Sequence, residues 1–279
     1  MKNKLRRRLS NTFWYIILIL GAVICMLPLY WLIRSSLMDL AQIFQLPPLW
    51  IPHPIHWSNY REALTILPFW RYFLNTMLIT SINVVGALLT SSFVAFGFAR
   101  IRFKWSGFLF GCVISSMMLP FAVTLIPTFI GWRILGAYGT FFPLTVPVWF
   151  GGGAFNIFLL RQFFKSIPKD LDEATIVDGG GYFRIWWQIV VPLSTPAMIV
   201  VGLFTFLNNW NDFFGPLIYM DSEKKYTLAL GLQLFKGMYN AQWHLMMAAA
   251  TVVLVPAIIV FLIGQKYFIE GITMSGLKA

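Results

Sequence analysis

Six stretches of the sequence run for about 20 residues with almost no charge, at 13–33, 73–98, 107–132, 140–160, 196–220 and 245–265. That is the length a bilayer demands, since ~20 residues rising 1.5 Å each cover a hydrocarbon core of ~30 Å. In that solvent each backbone N–H and C=O has to be paired within its own segment, so such runs are helices. Composition agrees. Of the 279 residues 58% are hydrophobic and 11% charged, against the ~25% charged of soluble domains. The sequence predicts an all-α membrane protein, one transmembrane domain of six spans over residues 1–279.

The fourth run carries Pro143, Pro147 and the triplet Gly151, Gly152 and Gly153. It is expected to be irregular and packed where neighbouring helices pair the freed backbone groups. The opening "MKNKLRRR" resembles the basic start of a signal peptide. The apolar run behind it is too long for one, and no small-residue cleavage site follows, so an uncleaved first helix is expected.

Placing the N-terminus inside puts 14 of the 21 Lys and Arg residues in cytoplasmic segments and 7 outside. This bias predicts both termini in the cytoplasm. Residues 34–72, with "LPPLWIPHPIHWSNY", then form an irregular external loop, with Arg34 and Asp39 as interfacial anchors. Residues 161–195 form a long cytoplasmic loop.

Several chemistries are excluded. Cys25 and Cys112 lie in apolar runs, and the three histidines are scattered, so neither a disulfide framework nor a metal site is expected. The net charge of +11 sits beside the apolar runs and reads as topology signals, not as a nucleic-acid surface. No GxxxxGK[ST], HExxH or GxSxG occurs, so the chain itself is expected to be neither an ATPase nor an embedded enzyme.

The cytoplasmic loop reads "SIPKDLDEATIVDGGGYFRIWWQIVVP" from residue 166. Asp170, Asp172 and Glu173 fall where a helix dipole favours negative charge. Leu171, Ala174, Thr175 and Asp178 share one helical face. Gly179, Gly180 and Gly181 then stop the helix, because glycine accepts the left-handed cap. A second short aromatic segment leads to Pro192. Taken alone, this pattern fits an ordinary amphipathic connector or a peg for a partner.

The spacing Glu173, Ala174, Thr175, three residues, Gly179, nine residues, Ile189, Val190, Val191, Pro192 resembles the E-A-A-x3-G-x9-I-x-L-P motif. That motif marks the inner-membrane permeases of ATP-binding-cassette importers. Thr175 stands for the second alanine and Val191 for the leucine. The stretches "YFLNTMLIT", "SSFVAFGFARIRF", "MMLPFAVTLIPTF", "FLNNWNDFFGPLIY" and "GITMSGLKA" resemble the maltose-type carbohydrate permeases.

The resemblance implies a type I importer permease fold in a bacterial or archaeal inner membrane. It implies that Asp172, Glu173, Ala174, Asp178 and Gly179 belong to a coupling helix that docks on an ATPase. It also implies a second permease subunit, two ATPase subunits that use ATP and Mg, an external solute-binding protein and a sugar substrate. No cofactor is expected on this chain.

Polar residues within the runs give a second set of candidates. Asn208, Asn211 and Asp212 are spaced to share a face of the fifth span, and Asp212 is the only acid in any run. Intramembrane polar groups face protein or water, so this face either lines a translocation path or bonds helices together. Asn83, aligned with Thr76 and Thr80 in the second span, is open to the same two readings. A proton-coupled transporter working through Asp212, or an embedded enzyme, would be the alternatives to an ATP-driven importer.

Overall fold

Helices and tight turns account for all regular structure among the described residues of this computed structural model, 2–237 and 241–276, with side chains described for 11–237 and 241–267. Lys278 and the end of the C-terminal tail lie outside the described residues. The chain divides into two units, one of residues 1–69 and 232–255, the other of 70–231 and 256–279.

In the first unit α1 (Lys2–Ser36) is long and apolar. The most apolar 18-residue window of the membrane-compatible stretch Asn11–Ser36 holds no buried residue, whereas Arg34, Ser35 and Ser36 at its end are buried. Its large side chains, from Phe13 through Leu27, are exposed. Helix α2 (Leu40–Phe44) and helix α3 (Ser58–Thr65) follow.

Side-chain bonds to backbone carbonyls tie this region to the end of α1. Arg34 donates from Nε to the Leu49 carbonyl and stacks over Trp31 at 4.2 Å. Asn59 donates to the carbonyls of Ser36 (3.0 Å) and Met38 (2.8 Å). Asp39 caps α2 through a capping box with Gln42, whose amide also donates to the His53 carbonyl at 2.7 Å. The expected irregular loop at 34–72 thus contains two capped or anchored helices. Buried Arg34 packs inside this region and is not an exposed anchor.

The second unit holds α4 (Phe69–Arg100), α5 (Ser106–Ser116), α6 (Phe121–Ile134), α7 (Phe142–Thr145) with a 3-10 turn at Pro147–Trp149, and α8 (Ala154–Ser166). Then come α9 (Asp170–Val177), α10 (Tyr182–Leu193), α11 (Thr195–Trp210), α12 (Phe214–Tyr219) and α13 (Leu228–Leu232); the last helix, α14 (Trp243–Gly276), has residues up to Val255 in the first unit and the rest in the second. Ile185–Val190 within α10 is wound as a π-helix. A buried cluster joins the end of α4 (Ala95, Phe96), α8 (Leu160, Phe164), α10 (Ile185, Val190) and α11 (Val201). Lipid tails are as apolar as these side chains, so close packing stabilises the cluster more than escape from water does.

Among the described residues four helices are long and apolar enough to cross a membrane, and two bent pairs bring the number to as many as six. Two of the expected continuous spans are broken. The run at 107–132 is α5 and α6, bent by 98° at residues 117–120, where Pro120 cannot continue a helix. The run at 196–220 stops at Trp210. Polar side chains there compete for the backbone. Asn209 donates to the Thr205 carbonyl and Asn211 to the Leu207 carbonyl, while the Asp212 carboxylate accepts from Gly215 N–H at 3.0 Å and opens α12. Helices α10 and α11 meet at 80°. The expected irregularity at 140–160 is α7, the 3-10 turn and three glycines of positive φ.

Candidate functional site

Helix α9 is built by its own sequence. Asp170, Asp172 and Glu173 occupy its first turn, next to the free N–H groups. Its C-terminus is closed by two bonds, Gly180 N–H to the Thr175 carbonyl (2.8 Å) and Gly179 N–H to the Ile176 carbonyl (3.0 Å). This is a Schellman cap, and it requires the φ of +79° found at Gly179. A Cβ on Gly179 would meet nothing, whereas one on Gly180 would lie 2.6 Å from Thr175 Cγ2. The sequence singled out Gly179; Gly180 is the crowded one.

One face of α9 is anchored. Asp172 lies 3.3 Å from Arg100, the last residue of α4, with side-chain exposures of 15% and 1% respectively. Arg100 also donates to the Ile167 carbonyl at 3.0 Å, and Thr175, three residues after Asp172 on α9, is buried. Burial pushes the Asp172 carboxyl above its ordinary value, with Arg100 and Lys169 pulling it down. Within the chain Asp172 therefore faces the end of α4.

The opposite face is free. Glu173, Ala174, Asp178 and Gly179 are exposed. So are Leu171, Ile176 and Val177, the last at 86%. Ile176 and Val177 were not among the expected residues, although they stand within the motif's three-residue gap. An acidic rim around exposed aliphatic side chains is a surface suited to a protein partner.

The membrane-depth candidates separate in space. Asn83, 4% exposed and midway along α4, donates to the Leu144 carbonyl at 2.8 Å and to Asn209 Oδ1. It thus bonds α4 to two neighbouring elements, and its partner Asn209 was not among the expected residues. Asn208, Asn211 and Asp212 do not share a helical face, because the helix ends between them. Asn211 closes α11, and Asp212 holds the turn into α12. Asn208 alone of the three lines a cavity of 510 Å³, with Ser116, Gly153, Asn156 and Thr205.

Comparison with known proteins places this architecture. Residues 87–273 match the model of the binding-protein-dependent transport system inner membrane component. The chain is 31% identical to the probable ABC transporter permease protein YurM of Bacillus subtilis (strain 168), over all of this chain and 93% of that one. It is 30% identical to the sn-glycerol-3-phosphate transport system permease protein UgpE of Yersinia pestis, over 96% of this chain and 98% of that one. Its fold is similar to a chain in the crystal structure of a bacterial ABC transporter involved in the import of the acidic polysaccharide alginate, with a TM-score of 0.82, 24% identity, and coverage of 94% of this chain and 97% of that one. The bent spans, the capped acidic helix and these matches lead to one assignment: the chain belongs to the family of binding-protein-dependent transport system inner membrane components, the ABC transporter permeases.

Proposed function

We propose that this chain forms half of the translocation pathway of an ATP-driven importer of polyhydroxylated solutes of the carbohydrate class. A second permease chain, two ATPase subunits that bind ATP and Mg, and an external solute-binding protein complete the machine. The observation that carries this reading is the two-sidedness of α9. It is fixed to α4 through Asp172 and Arg100 and presents Glu173, Ile176 and Val177 outward. A short helix held this way transmits displacement instead of absorbing it. ATP-dependent closure of the ATPases would move α9, and α9 would carry the cytoplasmic end of α4 with it, exchanging outward and inward access. The relative named for sn-glycerol-3-phosphate transport supports the polyhydroxylated character of the solute, not its charge.

Glu173→Lys tests the coupling. The complex in proteoliposomes is expected to lose about tenfold or more of its ATP-driven uptake, the scale of one reversed interfacial charge. The amount of permease in the membrane should stay the same. Undiminished uptake, or uptake driven by a proton gradient without ATP, would remove α9 from the mechanism.

The reading also places both termini in the cytoplasm. Single cysteines at Ser106 and Ser222, introduced after Cys25 and Cys112 are replaced by Ser, should label from opposite sides, with Ser106 cytoplasmic. Labelling of both from outside would overturn that topology.

A further inference from the structure

The cavity beside Asn208 is lined where three chain breaks meet. Met117 stands at the α5–α6 bend, Gly153 precedes α8, and Asn208 lies in the last turn of α11. Its depth is fixed by the Asn83–Asn209 bond, which holds the neighbour of Asn208 level with the middle of α4. At that level broken backbone is tolerated only inside protein or along a water-filled space. Transporters build binding sites from discontinuous helices at such a position.

The side chains add a ligand-directed signal. Asn208 is exposed and its amide bonds to nothing among the described residues. A free amide in a bilayer interior is costly unless water or a ligand pairs with it. Asn156 spends an N–H on the Gly152 carbonyl at 2.7 Å, and its carbonyl oxygen has no partner among the described residues. Ser116 donates to Val113 and keeps its acceptor lone pairs. Phe155 and Phe204 also line the cavity, edge to face at 5.9 Å. No ionisable side chain is present in the lining.

Amides and a hydroxyl pair with ligand hydroxyls, and aromatic rings cover C–H faces. A volume of 510 Å³ falls within the ~300–1,000 Å³ of small-molecule sites. An anion would enter this lining without a counter-charge, which a membrane interior penalises.

We infer that the cavity formed by Asn208, Asn156, Ser116 and the Phe155–Phe204 pair is a subsite for a neutral carbohydrate of one or two rings. The inference rests on the importer reading and narrows it, because a phosphorylated solute would not suit this lining.

The test uses the intact transporter complex with Cys25 and Cys112 replaced by Ser. Single cysteines go at Asn208, at Asn156 and, as a membrane-facing control, at Leu78. Two thiol reagents are compared, a methanethiosulfonate carrying glucose and the anionic ethylsulfonate. Cysteines at 208 and 156 are expected to react with the glucose reagent about tenfold or more faster than the control, a difference of one decade in rate. They should also react faster with it than with the anionic reagent. Ala154→Phe, which fills the cavity, should slow the reaction at 208 in complexes that still co-purify.

Inertness to both reagents in every nucleotide state means that the second permease or lipid covers Asn208, and overturns the subsite. Faster reaction with the anion overturns the neutral-sugar assignment. Vanadate trapping with ATP separates the two readings. Rates that ignore trapping would count against the importer, while fast glucose-reagent labelling would still uphold the subsite.

Discussion

Arg100→Ala is expected to release α9 from the end of α4 at a cost of about 3–5 kcal/mol, the range for removing one partner of a buried ion pair. The geometry supports the upper part of that range. Arg100 is 1% exposed, it lies 3.3 Å from the Asp172 carboxylate, and it connects the end of α4 to both α9 and the Ile167 carbonyl. Trypsin applied to the purified protein should then cut at Lys165 and Lys169 in the variant and spare the parent.

The defect should shrink in acid. The Asp172 carboxyl already sits above its ordinary 3.8 because burial outweighs the pull of Arg100. A group raised in this way contributes stability that is full below its unfolded value and is lost as pH rises through its folded value. Removing Arg100 raises it further, so mild acidification protonates the carboxyl and relieves the unpaired charge. The double variant Arg100→Met with Asp172→Leu should return most of the stability, since an apolar pair of similar volume is often neutral in place of a buried ion pair. Full protection from trypsin in Arg100→Ala at neutral pH would show that the pair does not hold the loop.

Gly152→Ala is the second large effect, at about 2–5 kcal/mol. Roughly 1–2 kcal/mol comes from forcing a side chain into a left-handed backbone, and about 1–3 kcal/mol from overpacking. Gly152 has a φ of +69°, and a Cβ there would lie 2.8 Å from the Ala87 carbonyl oxygen and from Ser91 Cβ. The clash is with α4 itself, so no flexible side-chain tip can give way. Its neighbour Gly153, with a φ of +97°, would place a Cβ 3.8 Å from Asn156 Nδ2. Gly153→Ala should therefore cost only the backbone strain. Thermal unfolding of the purified chain in detergent ranks the two. A Gly153 variant less stable than the Gly152 variant would refute the packing account.

Much of this molecule is written locally in the sequence, and the limits have identifiable causes. Run length revealed the spans because the bilayer imposes one thickness on each of them. The end of α9 was visible because glycine is the residue that a Schellman cap recruits. The early stop of α11 escaped detection. Asn209 and Asn211 average into an apolar window, while their effect comes from side-chain bonds to the carbonyls of Thr205 and Leu207. The orientation of Asp172 was equally hidden. Its partner Arg100 lies at the end of another span, and helical periodicity on α9 does not say which side meets α4. The Asn83–Asn209 bond is of the same kind, long in sequence and short in space.

The 98° bend between α5 and α6 also bears on how the chain is made. Helix α5 has 11 residues and α6 has 14, and both fall below the ~17–25 that a spanning helix needs. Neither piece can be released into lipid by itself as a stable unit. During synthesis this region has to wait at the insertion machinery, or enter together with its neighbours, until α8 is available to cover it. The chain therefore has an order of insertion written into it, with α1 and α4 settling independently and the bent pair α5–α6 only once α8 has followed. Ribosome pausing or truncation between residues 116 and 154 should strand a segment that quality-control proteases recognise.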